Sequence, residues 1–151
     1  MSVSSGRKRS GLIQSVACVA WLAAGTTTVL AQDAPPRSIA IELNGAEAND
    51  KACRLSFVVA NGLEQSIDDM ALELVLFDKD GRVDRFVVVR TAKVPAGKSR
   101  VRQFDIPETP CPSIARILVN DVKECVGSGL NPAACADSIK VATRSDIQFE
   151  N

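Results

Sequence analysis

The residues best equipped for chemistry are Cys53, Cys111, Cys125 and Cys135, and their spacing decides which chemistry is open to them. A zinc centre built from cysteines draws on close pairs such as C-x2-C, and a thioredoxin-type redox centre needs C-x-x-C. Neither spacing occurs here. The fifth cysteine, Cys18, falls in the expected signal peptide; the four that remain are an even, widely spaced set, which in an exported chain is a disulfide framework. Three pairings are open to four cysteines. The favoured one joins Cys125 to Cys135, across a segment that contains Val126-Gly127-Ser128-Gly129, and Cys53 to Cys111, between distant strands.

The chain has no histidine. The Ser-His-Asp and Cys-His nucleophile pairs are therefore absent, as are His-based zinc sites and the side chain best suited to proton transfer near neutral pH. Asp78, Asp80 and Gly81 touch on the calcium-loop pattern, but with Gly81 aligned, Leu76 stands where the first Asp belongs and Val87 where the Glu belongs. A hairpin turn explains the same three residues. Asn120-Asp121 lies within an otherwise apolar run, where a polar pair needs partners if it is buried. It is a candidate for an outward or hydrogen-bonded pair, or for one wall of a polar pocket. Arg82, Arg85, Arg90, Lys98, Arg100 and Arg102 fall on two runs expected to pair across the Pro95-Gly97 turn, a candidate basic surface patch interspersed with Asp84 and Asp105. No catalytic, cofactor-binding or metal-ligating set emerges, so no cofactor is expected.

The elements that must position these residues read as short strands. Residues 38–43 alternate, and Asn44-Gly45 is expected to end the run. Residues 53–60 are β-branched and aromatic and precede Asn61-Gly62. Residues 71–77 and 82–90 flank Asp78-Lys79-Asp80-Gly81, a β-hairpin whose Gly supplies the positive φ of the turn. Residues 99–106 stop at Pro107, and residues 114–122 make a sixth strand or a short helix, which periodicity does not separate. A seventh strand falls around residues 139–141 and 147–149. Six or seven such strands predict a mainly β, antiparallel immunoglobulin-like sandwich.

Ahead of them stand Arg7-Lys8-Arg9, an apolar stretch over residues 12–22, Val29-Leu30-Ala31 and then Gln32-Asp33-Ala34-Pro35-Pro36. These are the parts of a cleaved signal peptide, residues 1–31. Gly25 and the three threonines after it interrupt the run before it reaches the length of a membrane span. Residues 32–37 read as a short linker and 38–151 as one disulfide-stapled domain in the periplasm or outside the cell. Without residues 1–31 the chain carries 15 basic and 18 acidic residues, so no field for nucleic acid is expected. The aromatic residues left are Phe57, Phe77, Phe86, Phe104 and Phe149, most of them inside apolar runs, and stacking platforms for bases are not expected.

Asn61, the run Leu72-Glu73-Leu74-Val75-Leu76-Phe77-Asp78-Lys79-Asp80-Gly81 and Val94-Pro95-Ala96-Gly97-Lys98 together resemble the small extracytoplasmic sandwich domains of the FxLYD type over residues 53–106. The longer combination of Ala52-Cys53-Arg54, Val94-Pro95-Ala96-Gly97-Lys98, Phe104-Asp105-Ile106-Pro107 and Ile117-Leu118-Val119-Asn120-Asp121-Val122 through Cys125 resembles small exported bacterial proteins labelled as twin-arginine signal domain proteins. The resemblance implies a sandwich fold and export; it carries over no catalytic residue.

Two functions fit these observations. The first is a non-enzymatic interaction or accessory domain that meets another envelope protein, with no membrane span after signal cleavage. The second is a small-molecule or ion binder with a polar pocket near Asn120 and Asp121.

Overall fold

In the computed structural model the described residues are 37–151. The expected signal peptide and all but the last residue of the expected linker lie outside the described residues. Strict alternation from Ala52 to Asn61 points Cys53, Leu55, Phe57 and Val59 to one side and Arg54, Ser56 and Val58 to the other, and this strand, β2, lies at the centre of one sheet. β1 (Ile39–Asn49) and β5 (Ser99–Pro107) flank it antiparallel, and β7 (Ile139–Thr143) lies beyond β1, giving the order β5-β2-β1-β7. The second sheet has the order β4-β3-β6-β8, from β4 (Val83–Arg90), β3 (Asp69–Phe77), β6 (Arg116–Val126) and β8 (Gln148–Glu150). A short helix, α1 (Pro132–Ser138), connects β6 to β7.

The inward faces of both sheets share one core, with Ile39, Leu43, Leu55, Leu74, Leu76 and Ile117 essentially inaccessible. Phe57 on β2 meets Phe104 of its own sheet at 6.1 Å and Phe149 of the opposite sheet at 5.5 Å between ring centroids. Burial of these faces is the main term favouring the fold. Two disulfides staple it: Cys53 on β2 to Cys111 in the single-turn 3-10 helix Cys111–Ser113, and Cys125 on β6 to Cys135 on α1.

The fold is mainly β, but three expectations are corrected. Eight strands are present among the described residues, and the sheets are mixed, because β1 runs parallel to β7 and β6 parallel to β8. Alternation reports which face of a strand is buried and is silent on the direction of its neighbour. The region expected to hold one last strand holds two, separated by a turn at residues 144–147 that carries the chain from one sheet to the other. Asn44-Gly45 does not end β1; it makes a bulge opposite Ser56, after which the strand continues to Asn49.

The hairpin from β3 to β4 forms where expected, with Gly81 at φ +77°. Residues 114–122 are not helical: the strand opens at Arg116 and extends to Val126. Gly127, just after it, passes so close to Ser66 that a Cβ would lie 2.4 Å from the Ser66 carbonyl oxygen, which rules out any side chain there without a backbone shift.

Candidate functional site

Among the described residues β4 is one edge of its sheet and the three-residue β8 is the other. Thr91 N–H donates to Met70 O, so by the alternation of an antiparallel ladder the backbone groups of Val87 and Val89 face β3. Those of Phe86, Val88 and Arg90 face away from the sheet and meet no strand among the described residues. The side chains of Phe86 and Val88 both stand 59% exposed on the outer face, and Val83 is 52% exposed at the start of the strand. Across the sheet Phe86 continues into Val75 on β3 and Leu118 on β6, so an apolar stripe runs inward from the open edge.

Charged groups flank the stripe in closed sets. On one side Lys123 lies 3.2 Å from Glu73 and 3.0 Å from Asp121, and these two carboxylates, Asp121 foremost, raise the lysine pKa. Arg90 binds Asp69 at 2.6 Å and also Glu124, which raise its own pKa further, Asp69 foremost. On the other side the Arg116 guanidinium sits 3.6 Å over the Phe77 ring and pairs with Glu150 at 3.1 Å. An edge strand with free backbone groups, an adjoining apolar stripe and a polar rim has the anatomy of a protein-binding surface.

The six basic residues are not brought together as one sheet face. β4 pairs with β3 and β5 with β2, so Arg85 and Arg90 belong to one sheet, with Arg82 just ahead of it, and Arg100 and Arg102 to the other, with Lys98 just ahead of it. The Pro95-Gly97 turn is therefore a crossing between sheets and not a hairpin. Lys98 N–H donates to Pro95 O at 3.1 Å within it. Two of the arginines tie the sheets together along this side. Arg85 donates through Nη1 to Pro107 O at 3.0 Å, while its Nε meets Asp84 at 2.8 Å. Arg102 donates to Thr91 O and, at 3.2 Å, to Lys93 O. Arg82 pairs with Asp80 at 3.3 Å and Arg100 bonds its neighbouring Ser99 O at 2.9 Å. Between the sheets, beside Arg102, Phe104 and Val89, the free volume is about 10 Å³, room for no more than one water.

Asn120 and Asp121 are exposed on β6. Asn120 Nδ2 donates to Glu73 Oε1 at 2.7 Å, and Asp121 accepts from Lys123 at 3.0 Å. They border a depression of about 200 Å³ together with Ala136, Ile139 and Asn151, below the volume usual for a small-molecule site, about 300 to 1,000 Å³. Asp78 Oδ1 accepts the backbone N–H groups of Asp80 and Arg82 at 2.9 and 2.8 Å, so this carboxylate holds the hairpin turn. The larger cleft, about 650 Å³, lies at the end of the sandwich beside Cys111 and is lined by Asn44, Lys79, Arg144 and Asp146. Lys79 Nζ reaches Ile114 O at 3.5 Å there, and Arg144 pairs with Glu42 at 2.9 Å.

Phe86 and Val88 were the residues the sequence hid. In the run Val83-Asp84-Arg85-Phe86-Val87-Val88-Val89-Arg90 they look like core, and only the parity they share with Arg90 marks the outward face.

No protein-family model and no curated protein matches the chain. Among solved structures the chain is similar to IrmA from Escherichia coli, with a TM-score of 0.55 and 15% sequence identity over 70% of this chain and 91% of that one. At that identity the likeness speaks for the fold alone.

Proposed function

We propose that this protein is a periplasmic or secreted, non-enzymatic interaction domain of immunoglobulin-like type that receives another envelope protein along β4. The observation that carries the reading is the coincidence, on one free edge, of outward backbone groups with exposed Phe86 and Val88. An extended segment of a partner adds as a further strand there, main-chain hydrogen bonds supplying affinity and the apolar stripe supplying selectivity. Two disulfides fit an oxidising compartment, and no helix among the described residues is long and apolar enough to cross a membrane.

The test is site-specific photocrosslinking in intact cells from position 88, with position 140 on the short β7 edge as control. A defined adduct from position 88 and none from position 140 is the expected result. Equal labelling from both, or none from either, overturns the reading.

A second reading rests on the 650 Å³ cleft, whose Lys79 and Arg144 offer cationic donors to a small carboxylate ligand. Citrate titration followed by amide chemical shifts would then move the signals of Ala46, Lys79 and Asp146 and leave those of β4 in place.

A further inference from the structure

An asparagine followed by glycine is where a chain reacts with itself, because a glycine nitrogen, unshielded by a Cβ, reaches the asparagine side-chain carbonyl as bulkier neighbours do not. Two such pairs fall among the described residues, Asn44-Gly45 and Asn61-Gly62. Asn49 and Asn120 precede aspartates, and Asn131 precedes Pro132, whose nitrogen carries no proton to give up.

The fold treats the two pairs oppositely. Asn61 is buried, its Nδ2 held by the carbonyls of Gln65 and Val94 and its Oδ1 by Leu63 N–H. Gly62 N–H donates to Ser38 O at 2.8 Å, and a Cβ at Gly62 would lie 2.7 Å from that oxygen, so this pair is locked in place. Asn44 stands exposed in the bulge of β1: Leu43 faces Phe57 and Gly45 faces Ser56, while Asn44 itself has no partner on β2. On the other side of β1 the pairing with β7 goes no further than Leu43 with Thr143. A Cβ at Gly45 would meet nothing within 4 Å, so there is open space around the reacting bond. Asn44 Nδ2 donates to Glu42 Oε1 at 2.9 Å, which occupies the group that departs and leaves the side-chain carbonyl carbon open to attack.

We infer that Asn44 is a modification site that deamidates in the folded protein, attacked by the Gly45 backbone nitrogen, and that the product sets a new carboxylate on the rim of the 650 Å³ cleft. Gly45 N bonds to Asn44 Cγ, the bond from Cγ to Nδ2 breaks, and ammonia leaves with the glycine proton. Water then opens the five-membered imide at either carbonyl, giving aspartate or, with the chain rerouted through Cγ, isoaspartate. Asn44 is the foremost group holding the Glu42 carboxyl below its ordinary value, and a carboxylate in its place donates no such bond and repels the charge on Glu42. Arg144, already paired with Glu42, then faces two carboxylates, and the cleft offers less to an anionic ligand. The site stands apart from β4 and does not depend on whether β4 receives a partner.

The experiment is storage of the disulfide-formed protein in mildly alkaline buffer, which favours the deprotonated nitrogen, beside the same chain in urea. Peptide mapping reads the mass gain of amide-to-acid conversion, and enzymatic methylation reads isoaspartate. In the folded protein Asn44 is expected to convert at least about tenfold faster than Asn61, which reacts only after local opening, whereas in urea the two convert at comparable rates. Gly45→Ala, for which there is room, is expected to slow conversion at Asn44 at least about tenfold and to leave the fold intact. Asn44 converting no faster than Asn61 in the folded protein overturns the inference, since the reaction would then wait on unfolding. Conversion undiminished in Gly45→Ala overturns the Gly45 nitrogen as the attacking group. In Asn44→Asp the Glu42 midpoint, followed by NMR, is expected to rise; an unchanged midpoint overturns the consequence drawn for the cleft rim.

Discussion

Asn61 and Asn120 are the same side chain in opposite circumstances, and the difference decides what each is worth. Asn61 is 2% exposed; its Nδ2 donates to Gln65 O at 2.8 Å and Val94 O at 2.9 Å, and its Oδ1 accepts from Leu63 N–H at 3.0 Å. Its backbone also bonds Gly97 and Lys98, so one residue fastens the end of β2, the loop after it and the Pro-Ala-Gly turn. Asn61→Ala removes these side-chain partners from a buried place and is expected to cost about 2 to 3 kcal/mol in urea unfolding. Asn120 makes one bond, to Glu73, in full contact with solvent, and Asn120→Ala is expected to fall within about 0.5 kcal/mol of wild type. Comparable losses from both would mean that the depression beside Asn120 contributes to the fold in a way its exposure does not suggest.

At the scale of elements, what could be read in the sequence was whatever local chemistry determines. The β3–β4 hairpin was legible because Asp78 and Gly81 specify the turn and the flanking apolar runs specify the strands. The parallel partners of β1 and β6 were not, because they are set by where residues 126–150 return, which no local pattern encodes. The edge position of β4 was hidden for the same reason, and with it the exposure of Phe86 and Val88. Helix α1 did leave a signal, since Asn131 caps it by accepting from Ala134 N–H at 3.0 Å and Pro132 opens it. Seven residues do not hold a helix by themselves in water, so the bond from Cys135 to Cys125 is what keeps α1 against β6. Replacing both cysteines by alanine is expected to cost about 3 kcal/mol and to speed amide exchange in residues 133–138 well beyond the rest of the chain. Removing Cys53 and Cys111 together, which close a span of 58 residues, is expected to cost more, about 4 kcal/mol, with exchange accelerated across both sheets. The reverse order of the two losses would show that chain entropy does not govern them.

At the largest scale, residues 37–151 form a sandwich with one side laced and the other finished by short strands, and its response to acid follows from how its outer faces are tied. Arg54 on β2 grips Asp105 on β5 at 2.7 Å, and Arg144 after β7 grips Glu42 on β1 at 2.9 Å, so each ion pair spans neighbouring strands of the first sheet. The Arg54 guanidinium, with help from Asn49, holds the Asp105 carboxyl below its ordinary value, and Asn44 together with Arg144 does the same for Glu42. A carboxyl whose folded pKa lies below its unfolded one binds fewer protons when folded, so its contribution is complete above the unfolded value, near 4, and is lost as pH falls through the folded value. Both groups are open to solvent, so the effect is screened and modest. The expected result is a melting temperature that is flat from pH 7 to about 5 and falls below that. Asp105→Asn is expected to melt lower than wild type at pH 7 and to converge with it toward pH 3, because acid removes from the wild type what the substitution has already removed. A constant gap between the two down to pH 3 would place the contribution of Asp105 in its geometry, not its charge.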